Sequence, residues 1–269
     1  MTATDKLFAG SIPELYDQLL VPLIFERYAL DLAGRIAVSR PHELLETAAG
    51  TGVLTSAIAS RLPVQKRIVA TDLNQPMLDR AAKRRDLEGR IAWRQADALS
   101  LPFEDRSFDA VACQFGVMFF PDKVKGYGEA RRVLRPHGRF FFNVWDRLDE
   151  NQFAETVNDA VAAFLPNDPP AFMARTPHGY HDVGKIRNDL TAAGFSDVAI
   201  ESVAFASKAA SAKDTAIAFC QGTPLRNEIE ARGASLEAAT DAAAAALAKR
   251  FGNGPIEGRI KAHVIIATA

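Results

Sequence analysis

Two small loops and two carboxylates stand where a chain could hold a nucleoside. The segment ETAAGTG, Glu46 to Gly52, follows a short apolar run and leads straight into an amphipathic stretch with Val53, Ala57, Ile58 and Leu62 on one face. A strand-to-helix turn of this kind has to approach a ligand closely, and Gly50 and Gly52 supply the backbone freedom. By itself it is the tight loop of many nucleotide binders. The next apolar run ends in Asp72, about twenty residues on, where a carboxylate at the end of a second strand accepts both hydroxyls of a ribose. Gln95-Ala96-Asp97-Ala98 closes a third run, and Asp97 there can accept from the exocyclic amine of an adenine. NAD and S-adenosylmethionine both present such a ribose and adenine. Thr55 stands where the third glycine of G-x-G-x-x-G would be, so no diphosphate need be seated.

The elements that must position these residues alternate between His42 and Trp145. A run ending at Glu46 is followed by a helix, a strand Arg67 to Thr71, a helix from Pro76 and strands Arg90 to Gln95 and Phe108 to Cys113. A helix Val124 to Leu134 and a strand Arg139 to Trp145 complete the series, and such alternation means a parallel, doubly wound sheet. Before it, Leu15, Leu19, Leu23 and Ile24 at helical spacing predict leading helices, with Pro22 as a kink. After it come a helix around Phe153 to Phe164, a Pro-rich loop, a helix Asp182 to Ala193 and a strand Asp197 to Ala206. A helical region from Ser211 to Phe251, broken at Gly222 to Pro224, precedes a last strand, Arg259 to Ala267.

Lys and Arg number 32 against 33 Asp and Glu, so no net field draws the molecule to nucleic acid or to an anionic membrane. A small molecule is the expected partner. Two cysteines, Cys113 in an apolar run and Cys220, do not make a disulfide framework or a zinc cluster, and no metal is expected. The N-terminus lacks a secretory h-region and no apolar stretch is long enough to span a bilayer, which predicts a cytoplasmic protein, monomer or homodimer.

The pieces HELLETAAGTG, VATDLNQPML, QADALSLPFEDRSFDAVACQFGVMFFPD and RRVLRPHGRFFFNVWD together cover His42 to Asp146. In their order and spacing the chain resembles the class I S-adenosylmethionine-dependent methyltransferases, and among them the ubiquinone and menaquinone biosynthesis methyltransferases. The resemblance implies a Rossmann-like α/β fold, a mostly parallel seven-stranded sheet with an antiparallel last strand inserted between its neighbours. It also implies S-adenosylmethionine as cofactor, S-adenosylhomocysteine as product and a small-molecule methyl acceptor. Glu46, Ala48 and Gly50 would line the methionyl part, Asp72 the ribose, Leu73 or Met77 the adenine face, Asp97 and Ala98 the adenine edge. Gln114 would lie by the amino-carboxylate region, Gly52 and Phe115 would be further cofactor residues, and Tyr16 of a Tyr-Asp pair would close over the cofactor. One departure stands out: Ala48 replaces the family's usual first glycine.

The expected organisation is one methyltransferase domain over 1–269: leading helices 1–40, cofactor-binding core 41–145, lid insertion 146–181, helix and strand 182–207, helical insertion 208–257 and final strand 258–269. Methyl transfer from a sulfonium needs alignment, exclusion of water and, for an acceptor that loses a proton, a base. Tyr16, His178 and His181 are the expected catalytic residues, while His42, His137 and His263 sit at structural places. Phe115, Met118, Phe119 and Phe120 suit either an aromatic acceptor surface or ordinary packing. A nicotinamide-dependent oxidoreductase shares the loop and Asp72 but lacks the third glycine and a Tyr-x-x-x-Lys pair. A non-catalytic cofactor-binding sensor or assembly protein would have the same cofactor residues, so the sequence leaves it open.

Overall fold

The computed structural model describes Asp5, Phe8 and residues 10–269. In chain order the elements are α1 (Ile12–Leu15), a π-helical stretch Tyr16–Phe25, α2 (Glu26–Ser39), β1 (Glu43–Glu46), α3 (Val53–Ala59), β2 (Arg67–Asp72), α4 (Gln75–Ala81), β3 (Ile91–Gln95) and β4 (Phe108–Gln114). They continue with α5 (Lys123–Val133), β5 (Leu134–Trp145), α6 (Gln152–Phe164), α7 (Phe172–Arg175), α8 (Val183–Ala192) and β6 (Asp197–Ala209). Helices α9 (Ala212–Gln221), α10 (Leu225–Ala231) and α11 (Leu236–Phe251) precede β7 (Ile256–Thr268).

The seven strands form one sheet in the order β3-β2-β1-β4-β5-β7-β6. Strands β1 to β5 pair in parallel, Leu45 standing opposite Val69 on one side and Val111 on the other. The last strand is the antiparallel one: the N–H of His137 near the start of β5 reaches the carbonyl of Ala269, and that of Asp146, just past its end, reaches Lys261. This is the Rossmann-like order the sequence predicts, with β7 inserted between β5 and β6.

Contacts divide the chain into two compact units. One comprises residues 26–144, 180–203 and 263–269, the other 1–25, 145–179 and 204–262. In the first, α2 and α3 bury Leu32, Ile36, Leu54 and Ile58 against Leu44, Ile68, Ala110 and Phe141 of the sheet. Parallel strands covered on both faces need continuous apolar runs, which is why β2 and β4 read so plainly. Tyr127 of α5, fully buried, packs on Phe140 and Phe142 and donates to the hydroxyl of Tyr180, which donates to Asp189. The second unit joins the leading segment to both predicted insertions. Ala239, Ala243 and Leu247 form a fully buried stripe on α11, where small side chains let helices approach closely. Gly258 serves the same end, since a Cβ there would lie 2.8 Å from the ring of Phe153.

Pro22 falls within the π-helical stretch, whose wider turns already depart from the ladder that proline interrupts. Two local expectations are corrected. The turn at His137, with φ of 66°, lies inside β5 as a bulge: Phe108 pairs with Leu134 and Ala110 with Arg139, so β5 carries the extra residues. The helical region after Ser211 is broken twice, the second time at Gly233, whose φ of 68° ends α10 before Ser235 caps α11.

Candidate functional site

Apart from Tyr16, the predicted cofactor residues lie at or just beyond the carboxyl ends of β1, β2, β3 and β4, with Met77 on α4, all within the first unit. β1 ends in Glu46, which is buried and accepts from the Thr55 hydroxyl at 2.6 Å. Burial lifts its carboxyl to about 8; the Thr55 hydrogen bond opposes this, and the charge of Asp72 pushes the same way. The loop then turns through three left-handed residues, Ala48 at φ 52°, Gly50 at 57° and Gly52 at 81°. Gly52 is needed twice over, because a Cβ would also meet Trp93 at 3.1 Å and Ala81 at 3.2 Å. Arg84 fastens the loop from outside, donating to the carbonyl of Thr51 at 2.7 Å.

Asp72 draws the loops together. One oxygen accepts from the N–H of Gly50 at 2.9 Å and the other from the N–H of Asn74 at 2.8 Å. The Asn74 side-chain amide also donates to that second oxygen, at 3.4 Å. Burial raises its proton affinity, opposed by the hydrogen bonds from Asn74, Gly50 and Leu73. Leu73 beside it is an apolar side chain left 43% exposed at the end of β2, a surface for a flat ring. Met77 is buried and brings its methyl to within 3.8 Å of the point where a Gly50 Cβ would be. The N–H of Ala96 donates to the carbonyl of Asp72, which sets the turn holding Asp97 and Ala98. Asp97 is exposed, and one of its oxygens accepts from the N–H of Leu99 at 2.9 Å.

At the end of β4, Gln114 pairs in register with Asn143 of β5. Phe115, at φ 51°, donates its N–H to the Asn143 carbonyl and to its Oδ1, and its ring meets Tyr28 edge-on at 5.3 Å. Two fully buried polar atoms here, Thr51 Oγ1 and Asn143 Nδ2, have no hydrogen-bond partner among the described residues. Such groups cost about 1–3 kcal/mol each unless a ligand or water satisfies them. Thr51, Asn74 and Asn143 escaped the sequence reading, and Thr55 was read only as a missing glycine. Only Asn143 left a signal, as the one polar residue in FFFNVW.

The predicted catalytic residues are divided. Tyr16 and His178 belong to the second unit and His181, half-buried, to the first. Tyr16 stacks on Phe25 at 5.1 Å, Phe25 meets Trp145 at 5.8 Å, and Trp145 faces the His178 ring at 6.2 Å. His178 is buried with Nδ1 2.8 Å from the carbonyl of Asp146. A carbonyl can only accept, so Nδ1 carries a proton. Of the other histidines, His263 bonds Ser202, and His137 stands in the β5 bulge. Phe120 is a packing residue, its ring filling the space over Gly126. Burial pushes the Cys113 thiol up to about 12, which rules it out as a nucleophile. Among the described residues no group of His, Cys, Asp and Glu could hold a metal ion, and no helix is long and apolar enough to cross a membrane.

A family model described as a methyltransferase domain matches residues 45–142. The ubiquinone/menaquinone biosynthesis C-methyltransferase of Idiomarina loihiensis is 35% identical over 187 residues, 65% of this chain and 73% of that protein. A demethylmenaquinone methyltransferase of Clavibacter sepedonicus is 36% identical over 183 residues, 62% of this chain and 74% of that protein. Of solved structures, the YcgJ protein of Bacillus subtilis superposes with a TM-score of 0.57 at 21% identity, covering 90% of this chain and 98% of that one. The [4+2]-cyclase SpnF shares the fold as well, at a TM-score of 0.57 and 19% identity over 90% of this chain and 80% of its own. A relative of 35% identity, matched over 73% of its length, places this chain in the family: it belongs to the class I S-adenosylmethionine-dependent methyltransferases.

Proposed function

We propose that the enzyme transfers the methyl group of S-adenosylmethionine to a small apolar acceptor built on a planar ring, with Asp72 as the residue that fixes the cofactor. The supporting observation is the Asp72 carboxylate, buried at the end of β2 and oriented by the Gly50 and Asn74 N–H groups. The residues fit the group. Leu73 offers an apolar face and Asp97 an acceptor for an exocyclic amine, while the partnerless hydroxyl of Thr51 lies in the loop assigned to the methionyl part. Glu46, Ala48, Gly50 and Gly52 would form that loop's wall, with Gln114 and Phe115 opposite and Met77 and Ala98 beside the adenine. Relatives named for quinone biosynthesis support an apolar ring as acceptor.

Bound S-adenosylmethionine supplies an electrophilic methyl on a sulfonium, and the protein's part is alignment and dryness. Tyr16 is proposed to close over the cofactor, and His178 and His181 to serve the acceptor. His178 is the better base because a main-chain carbonyl fixes the orientation of its ring through Nδ1. His178→Asn keeps a donor for the Asp146 carbonyl and removes the base. It is expected to lower kcat about a hundredfold, flatten the acid limb of the pH profile and leave S-adenosylhomocysteine affinity unchanged.

Calorimetry of the full chain with S-adenosylhomocysteine tests the cofactor, and absence of binding overturns the reading. Turnover is then followed as S-adenosylhomocysteine release while reduced quinones, phenols, amines and acids are offered. Binding without turnover on any of them would make the protein a sensor.

A further inference from the structure

Glycine at position 116 is not there for its backbone. Its φ of −96° and ψ of −36° are open to every residue. What requires glycine is space: a Cβ on residue 116 would lie 2.5 Å from the Cβ of Ala48 and 2.7 Å from Cys113 Sγ. Ala48 presents the opposite case. It sits at φ 52°, a left-handed conformation that glycine adopts freely and that costs an L side chain roughly 1–2 kcal/mol. The chain therefore keeps a methyl where the backbone would prefer none, and has none where the backbone would accept one.

The neighbours show what this arrangement holds. Cys113 Sγ sits under both loops, beside Thr47 of the first and the N–H groups of Gly116 and Val117 of the second. Ala49 N–H donates to the Thr71 carbonyl and Gly50 N–H to Asp72, so the loop carrying Ala48 is also pinned to β2. The loop carrying Gly116 is pinned on its other side, where Phe115, itself at φ 51°, gives its N–H to Asn143. Strained backbone persists where its surroundings over-determine it, and two strained non-glycine residues here flank one contact.

We propose that Ala48 and Gly116 are a matched pair of positioning residues. The methyl of one fills the side-chain space of the other, locks the loop after β1 to the loop after β4, and sets the width of the methionyl end of the cofactor site. This rests on the assignment of the cofactor to these loops.

The test moves the methyl across the contact. Gly116→Ala pushes the two loops apart, and is expected to weaken S-adenosylhomocysteine binding about tenfold or more and to raise the KM for S-adenosylmethionine in step, with kcat much less affected. The swapped chain, Ala48→Gly with Gly116→Ala, returns the fit on that side. Both chains are also made with Cys113→Ser, whose shorter side chain clears the second contact, and are compared with Cys113→Ser alone. Recovery of most of the lost affinity in the swapped chain is the expected result. A Gly116→Ala chain that melts earlier but binds like the wild type shows ordinary packing and overturns the proposal. So does a swapped chain that recovers nothing, and so does insolubility of both the single and the swapped chains. Solubility that returns only on swapping supports the pair. Failure of the wild type to bind S-adenosylhomocysteine overturns the functional reading instead, so the two failures are told apart.

Discussion

Asp72→Ala is expected to weaken S-adenosylhomocysteine binding at least about a hundredfold, because a charge-assisted hydrogen bond is worth roughly 1.5–3 kcal/mol and the proposed ribose contact has two of them. The loss has a second source in the protein. The N–H groups of Gly50 and Asn74 both give up their acceptor, and Gly50 belongs to the loop proposed to face the cofactor. Asp72→Asn separates these contributions. Its one amide oxygen serves one side and its NH2 group opposes a donor on the other, so an intermediate loss is expected. Calorimetry at a fixed pH with melting curves of the free variants makes the measurement. An Asp72→Ala chain that binds as the wild type does would remove the ribose from Asp72.

The second large effect belongs to Glu46 and is a matter of pH. Its folded carboxyl stands at about 8 against a reference of 4.5, chiefly through burial. Between those values the folded chain holds a proton that the unfolded chain has released, so stability falls as pH rises. The stabilising contribution is complete below 4.5 and gone above about 8, and the difference is about 5 kcal/mol by linkage. Glu46→Gln keeps an acceptor for the Thr55 hydroxyl and cannot ionise. The variant is expected to melt close to the wild type at pH 5 and on the order of 10 °C higher at pH 9, both without ligand. Asp72 is shifted in the same direction and remains in both chains, so the difference between them isolates Glu46. Parallel melting temperatures across that range would mean that Glu46 is not held neutral.

How far the sequence could be read depended on how local each cause was. Gly50, Gly52 and Asp72 were legible because a tight turn and a strand end are written in neighbouring residues, and β2 and β4 because buried parallel strands leave apolar runs. Thr55 was read only as a missing glycine, although its hydroxyl is what Glu46 bonds. The Ala-rich part of α11 was legible as helix by propensity. Its Ala239, Ala243 and Leu247 stripe, the reason for small residues, needs the partner helices to be seen.

By itself the sequence determined the alternation of strands and helices through β5, the glycine turn, the carboxylates at the ends of β2 and β3, and the choice of a cofactor without a diphosphate. Each is a matter of short-range sterics or of residue type at a strand end. Tertiary structure alone decided that the leading segment and the two insertions share one compact unit, because that follows from helix faces far apart in sequence. It decided that Nδ1 of His178 carries a proton, which depends on a carbonyl supplied by the end of another element. It also decided how Ala48 can stand in a glycine's place: the space for its methyl comes from Gly116 on a different strand's loop, and no pattern within either loop records the match.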